Sequence, residues 1–423
     1  MLLSEGLRMW RRARRVRREG FTRYEGLPEQ VCLQILADCW DEQRQYFRVS
    51  PGHFCEFYTR DFALCCESLV EIGYAARVRK TLQYALGRFE RHGRMTVAIG
   101  PDGTPFDYFL PSGPETVALF LYACDKSRNI DLLMKHKAFL QKEIDRIVHA
   151  CIDSATLLPR VDRSFSTIRD HAKRKAPCYD AIMIALLARE AHHLGFRFPY
   201  DEKKIVDAIR TRYWNGAYFF QDLNRQDVVA GDANVFPFWT GLFTDREVRT
   251  RVITSICAAK LDDPLPLRYV SPHDARREKT KLSWVDLLAP DYETTSLWAH
   301  LGLAYVRVLA EDDPARARAH LAQYETLIEK YRTFLEVYEE YEGGVVPFSR
   351  LLYASDEGML WCANWLALTR HLTGAGRPSL PRKRARTVTG RRRYNRQTER
   401  VPGARARASS PRRTTNKFKN AFS

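Results

Sequence analysis

The stretch Ser166-Thr167-Ile168-Arg169-Asp170, with the apolar run from Ala176 to Gly195 behind it, decides how this chain is read. Within that run, Ala181-Ile182-Met183-Ile184-Ala185-Leu186-Leu187-Ala188 is apolar on every face. A helix with no polar face is buried, in a membrane or in the middle of a large fold. This run is too short and too closely flanked by charge to span a bilayer, so a core helix is expected. In front of it lies a polar loop with one carboxylate, Asp170, close to His171, Lys173, Arg174 and Lys175. A lone Asp at a helix entrance is ordinarily a loop or capping acid. What favours a chemical role is that the chain repeats the arrangement.

Apolar helices are predicted to begin near 61, 112, 177, 234, 292 and 357. Each of the first five runs through a short turn into an amphipathic helix, near 74, 129, 201, 244 and 314, and the sixth can pair with the helix predicted over 27–47. Connections in the other direction are long: about 48–60, 93–111, 153–176, 214–233, 261–291 and 340–356. One of them carries a hairpin signal around Asp102-Gly103. Long loops inside a compact domain are usually functional. Fully apolar helices alternating with amphipathic ones imply an inside and an outside, which disfavours a linear stack of hairpins. The predicted fold is all-α, an (α/α)6 toroid over residues 25–373, with the long loops and all six inner-helix N-termini on one face. That face is the expected binding site.

The bulk numbers agree with one large core. The chain has 423 residues, 45% of them hydrophobic and 12% aromatic. The net charge of +17 is segregated. Residues 1–24 hold eight Arg against two Glu, and residues 371–423 hold sixteen Lys or Arg against one Glu; the remainder has 44 basic and 48 acidic residues. The body is thus mildly acidic and does not look like a nucleic-acid-binding domain. Residues 1–24 read as a solvated or disordered basic arm. Residues 374–423 read as a disordered basic tail, a weak tether for polyanions such as RNA or an acidic membrane surface. The ten cysteines include no C-x-x-C pair and mostly sit in apolar helical runs, a usage that suits reduced thiols in a cytosol. No apolar signal core, no membrane span, no metal site and no cofactor motif is read from the sequence.

The residues at the predicted inner-helix entrances are not a random set. Entrance one has Tyr58, Arg60 and Asp61; entrance three has Asp170 and Tyr179; entrance four has Asp232, Asn234 and Trp239. Entrance five has Trp284, Asp286, Asp291, Tyr292 and Glu293, and entrance six has Asp356 and Glu357. Carboxylates, aromatic rings and an Arg suit a polyhydroxylated ligand, whose hydroxyls need bidentate acceptors and whose CH faces need flat apolar rings.

With these residues in place, the chain resembles the six-hairpin glycosidases, the group of glucoamylase, trehalase and debranching-enzyme glucosidases, over roughly 45–372. Tyr58-Thr59-Arg60-Asp61 looks like that group's aromatic-x-Arg-Asp motif, whose Arg and Asp hold the non-reducing sugar. Ser166-Thr167-Ile168-Arg169-Asp170 resembles the Thr-Trp-x-Asp segment that carries the general acid, with Ile168 in the place of Trp. Asp356-Glu357-Gly358-Met359-Leu360-Trp361 resembles the last-helix entrance that carries the catalytic base. The resemblance implies an inverting hydrolase of an α-glucosidic or related linkage. Asp170 is then the acid, Glu357 the base, and Glu293 and Glu336 the reserve bases. A raised pKa on Asp170 requires Lys173 to Lys175 to face solvent.

Two other functions compete. A sugar epimerase or carbohydrate-binding toroid would lean on His171, His53, His273 or His300. A nucleic-acid-associated protein would act through its basic ends.

Overall fold

Six helices with little or no polar face need six others to cover them, and the chain supplies both sets in alternation. The structure, a computed structural model, describes residues 2–278, 280–281 and 289–374. The chain starts with α1 (Leu2–Glu19) and α2 (Pro28–Cys39). Then come α3 (Thr59–Leu69) with α4 (Ala75–His92), and α5 (Pro114–Lys126) with the short α6 (Ile130–Lys135) and α7 (Lys137–Cys151). Next are α8 (Cys178–His193) with α9 (Glu202–Tyr213), and α10 (Gly231–Trp239) with α11 (Arg246–Ala258). Last are α12 (Ala299–Leu309) with α13 (Pro314–Tyr331), and α14 (Cys362–Thr373). Among the described residues α3, α5, α8, α10, α12 and α14 form a closed inner ring, each packed on the next and α14 on α3. The helices α4, α7, α9, α11 and α13 lie against their inner partners, and α2 covers α14. This is the (α/α)6 toroid.

Burial follows the sequence pattern. Every residue of α10 is buried, as is α8 from Cys178 to Ala188. On α4 only the stripe Val78, Thr81, Leu82, Ala85, Leu86 and Phe89 is buried, the spacing of one helical face. Each fully buried Val, Leu or Phe contributes roughly 1.5–3 kcal/mol. Acidic caps fix where the outer helices start: the Asp201 side chain accepts from the backbone of Lys203 and Lys204, and the Asp245 side chain from Glu247 and Val248. The inner α3 passes into α4 through Gly73, whose φ of +98° suits glycine.

Short strands fasten the long loops on the face of the inner-helix N-termini. β1 (Trp40–Asp41) pairs with β2 (Tyr46–Phe47). β3 (Phe57–Tyr58) leads into α3 and pairs with β4 (Ala98–Ile99), which pairs in turn with β5 (Pro105–Phe106) across the Asp102-Gly103 turn. β6 (Leu297–Trp298) leads into α12 and pairs with β7 (Val337–Tyr341), which forms a hairpin with β8 (Gly344–Pro347).

Three expectations are corrected. The N-terminal segment is not a solvated arm: α1 is a helix whose Arg12 is buried against loop carboxylates. The fifth inner helix begins at Ala299, not near 292, because Leu297 and Trp298 are taken up by a strand. The sixth begins at Cys362, not at Glu357, because Glu357 sits in an extended segment bridged to Leu335. No helix among the described residues is long and apolar enough to cross a membrane. The tail expected to be disordered, beyond Gly374, lies outside the described residues.

Candidate active site

The segment 166–170 is a junction. Ser166 forms a parallel bridge with Ser112, and its N–H donates to Pro111 O at 2.9 Å. The Thr167 hydroxyl donates to Asp180 Oδ1 at 2.7 Å, and the Thr167 N–H to Asp170 Oδ1 at 3.0 Å. Arg169 is fully buried: it donates to Glu293 O, Gln221 Oε1 and Glu278 Oε2, with its guanidinium over the Tyr269 ring. Asp170 is therefore held on a frame tied to entrances two, four and five, with its carboxylate half-buried.

Entrances one, two and three converge on Arg60. Its guanidinium donates to Glu115 Oε1 and to Thr167 O, both at 2.9 Å, and its Nε lies 4.0 Å from Asp61 Oδ2. Tyr179 donates its hydroxyl to the other Glu115 oxygen at 2.9 Å. Burial pushes the Glu115 carboxyl up to about 7 against the pull of Arg60. Burial likewise raises Asp61, with Arg60 opposing, and raises Asp180 to about 6. Tyr58 stacks on Tyr108, their hydroxyls in contact. Arg60, Asp61, Tyr179 and Asp170 are thus brought together as expected from their spacing. Glu115 was missed, although its signal was present: one acid in the first turn of the otherwise apolar Pro114-Glu115-Thr116-Val117-Ala118-Leu119.

Entrance four differs. Arg174 turns inward and pairs with Asp232 at 2.6 Å, both side chains almost wholly buried, while Lys173 and Lys175 are exposed. The expectation that all three cations face solvent fails at Arg174, because a buried carboxylate at Asp232 needs a counter-charge. Asn234 spends its amide on backbone, accepting from Phe219 N and donating to Phe219 O and Ala230 O. Trp239 is the last residue of α10 and so lies at the opposite end of the ring. Trp284 and Asp286 lie outside the described residues. At entrance five, Glu293 accepts from the His171 N–H at 2.8 Å. Of the four histidines that an epimerase would lean on, burial holds His300 neutral and lowers His53 to about 4.

Entrance six is the most heavily wired. Glu336 is fully buried; Tyr292 donates to its Oε1 at 2.7 Å, while Tyr353 and the Asp356 N–H donate to Oε2. Burial pushes Glu336 up to about 7. Asp356 accepts from the N–H of His53 and Phe54 and from the Ser50 hydroxyl. Burial alone would raise its pKa, but His53, Arg12 and these donors hold it below the usual carboxylate range. Gly52 makes the approach possible, since a Cβ there would collide with the Asp356 carboxylate. Arg12 spans the two acids, with Nε 2.9 Å from Asp356 and Nη2 on Glu357, and donates to the carbonyls of Ala354 and Ser355. Arg15 and Thr22 also reach Glu357. Glu357 is thus taken by two guanidiniums and a hydroxyl rather than left facing a water.

No protein-family model matches the sequence, and no curated protein does. Solved structures do. A rhamnosidase from Klebsiella oxytoca with rhamnose bound superposes with a TM-score of 0.59 at 12% identity, over 82% of this chain and 63% of that one. A glycosidase in complex with glucose gives 0.57 at 12% identity, over 88% and 98%. A GH63 mannosylglycerate hydrolase from Thermus thermophilus gives 0.54 at 14%, over 81% and 99%. At such identities the likeness is one of fold, the (α/α)6 toroid.

Proposed function

We propose that the chain is a glycoside hydrolase that cleaves an α-glucosidic or related linkage with inversion. The observation that carries the reading is the set of carboxyl groups on the face of the inner-helix entrances, two of them, Glu115 beside the half-buried Arg60 and Glu336 between Tyr292 and Tyr353, pushed up to about 7. Titratable groups held apart from their ordinary values by burial and neighbours are what acid–base chemistry at neutral pH needs. The neighbours' names add support, since they include a rhamnosidase and a mannosylglycerate hydrolase.

In this mechanism Arg60 and Asp61 hold the terminal sugar ring. Asp170 gives a proton to the glycosidic oxygen as its bond to the anomeric carbon breaks. A water attacks that carbon from the opposite face and gives its proton to a carboxylate roughly 6.5–9.5 Å away across the ring. We assign that base to Glu336 rather than Glu357. Glu336 meets hydroxyl and amide donors only, and its pKa near 7 makes it an effective proton acceptor. Glu357, by contrast, is ion-paired to both Arg12 and Arg15.

A panel of glycans and aryl glycosides, with proton NMR following the anomer first released, tests the reading. The expected result is turnover of at least one hexopyranoside with inverted configuration; a product of retained configuration removes the mechanism, and an inert panel removes the activity. On the substrate so found, Asp61→Asn weakens binding roughly tenfold or more, because a charge-assisted hydrogen bond to a sugar hydroxyl is lost. Circular dichroism and melting stay as in the wild type. Unchanged kinetics for both Asp61→Asn and Arg60→Gln would remove these residues from the sugar site.

A further inference from the structure

The far end of the ring, where the inner helices finish, holds a cavity of about 230 Å3. Leu64 and Ser68 of α3, Leu303 of α12, and Asn364 and Ala367 of α14 line it, and Trp239 closes it from α10. Trp239 was expected on the other face, and the sugar site described above makes no use of it.

We propose that this cavity binds one neutral pyranose-sized sugar, at a second site separate from the carboxylates of the other face. Three side chains there are more than nine-tenths buried yet have polar atoms that meet no described residue: the Trp239 indole N–H, the Ser68 hydroxyl and the Asn364 carbonyl oxygen. The Asn364 amide nitrogen has only the Cys65 sulfur, at 3.9 Å. These three atoms open onto the cavity, so a ligand that hydrogen-bonds to all three replaces the solvent they meet there. One donor, one acceptor and one hydroxyl beside a Trp ring and leucines match a polyol with an apolar face. An apolar ligand would leave the three atoms unpaired.

Charge selects against ions. On the rim, Arg307 is paired with Glu67 at 2.6 Å, and Glu311 with Arg249 at 2.6 Å. Glu71, also on the rim, has its pKa raised, first by burial and then by Glu67. An anion or a cation would meet an almost balanced rim. Size selects a single ring, since drug-sized ligands fill roughly 300–1,000 Å3.

The test is isothermal titration of the full chain with D-glucose, D-mannose, D-galactose and L-rhamnose, repeated on Ser68→Ala, Asn364→Leu and Trp239→Phe. Asp61→Asn serves as the control for the other face, so the result does not depend on the proposed activity. The expected result is that at least one sugar binds, that Asn364→Leu and Trp239→Phe weaken this binding tenfold or more, and that Asp61→Asn leaves it intact. Ser68→Ala, which removes a single oxygen, weakens it in the same direction and serves if a larger change unfolds the chain. Absence of binding for all four sugars overturns the proposal. So does binding that only Asp61→Asn disturbs.

Discussion

Glu336→Gln lowers kcat by roughly 10²–10⁴-fold on every substrate the enzyme turns over, the usual contribution of a positioned acid or base. The loss is the same for aryl glycosides with good and poor leaving groups, because water must be activated either way. Asp170→Asn behaves differently. It costs as much with a poor leaving group, whose oxygen needs a proton, and much less with an activated aryl glycoside, which needs little protonation. Glu357→Gln separates the two possible bases. With Glu357 tied to Arg12 and Arg15, its neutralisation changes kcat far less than Glu336→Gln does. A reversed order, with Glu357→Gln the crippling change, would hand the base role to Glu357.

The pH dependence has a definite sign. Glu336 must be ionised to act as a base, so kcat/KM falls as pH drops through about 7. The same shift acts oppositely on stability. A carboxyl whose folded pKa lies above its unfolded value keeps its proton longer in the folded state, so the folded state binds more protons between roughly pH 4.5 and 7. Glu336 and Glu115 therefore both make the fold lose stability as pH rises through that window. Glu336→Gln removes its share of the slope. A flat unfolding free energy across pH 4.5–7 in the wild type would contradict the burial argument for both groups.

The ring was legible because hydrophobic periodicity reports it directly. An all-apolar segment such as 181–188 can only be inside, and a stripe such as Val78-Leu82-Leu86-Phe89 can only be at a boundary. Acidic caps at Asp201 and Asp245 marked helix starts. The strands were harder to see, because two-residue pairings carry no alternation to count. The β7–β8 hairpin did leave a trace: Glu342-Gly343 takes positive φ at both positions, as a two-residue primed turn requires. Within the site, Arg60, Asp61, Asp170 and Tyr179 followed from position at helix entrances. Glu336 was visible only as a reserve, because it lies in a loop and its character comes from Tyr292, Tyr353 and Asp356 N–H, which are near only in three dimensions. Asn234 and Asp232 have the composition of a sugar site and the bonds of a scaffold. No one-dimensional pattern distinguishes the two.

The least legible feature was α1, and it supports the second large effect. A run such as Arg11-Arg12-Ala13-Arg14-Arg15 reads as solvated because like charges repel. The repulsion is offset when acids lie across from one helical face. Arg8, Arg12 and Arg15 recur at helical spacing and meet Glu56, Asp356 and Glu357, whereas Arg11, Arg14 and Arg18 stay exposed. Arg12→Ala removes the guanidinium that bridges Asp356 and Glu357 in a buried segment, leaving Glu357 to Arg15 and Thr22, and removing one partner of such a cluster costs about 3–5 kcal/mol. Arg11→Ala, a turn-mate on the solvent side, changes stability by less than about 0.5 kcal/mol. Urea unfolding of the two variants measures the difference. Adding Glu357→Gln to Arg12→Ala recovers part of the loss, since one of two adjacent buried carboxylates is then neutral, and a double-mutant cycle gives the coupling. Equal midpoints for Arg12→Ala and Arg11→Ala would mean that the guanidinium carries no net stability. Deleting residues 2–19 extends the test to function. With Glu336 as the base, the deletion lowers stability and brings no gain in kcat. A gain would identify α1 as a latch over Glu357 and restore that residue as the base.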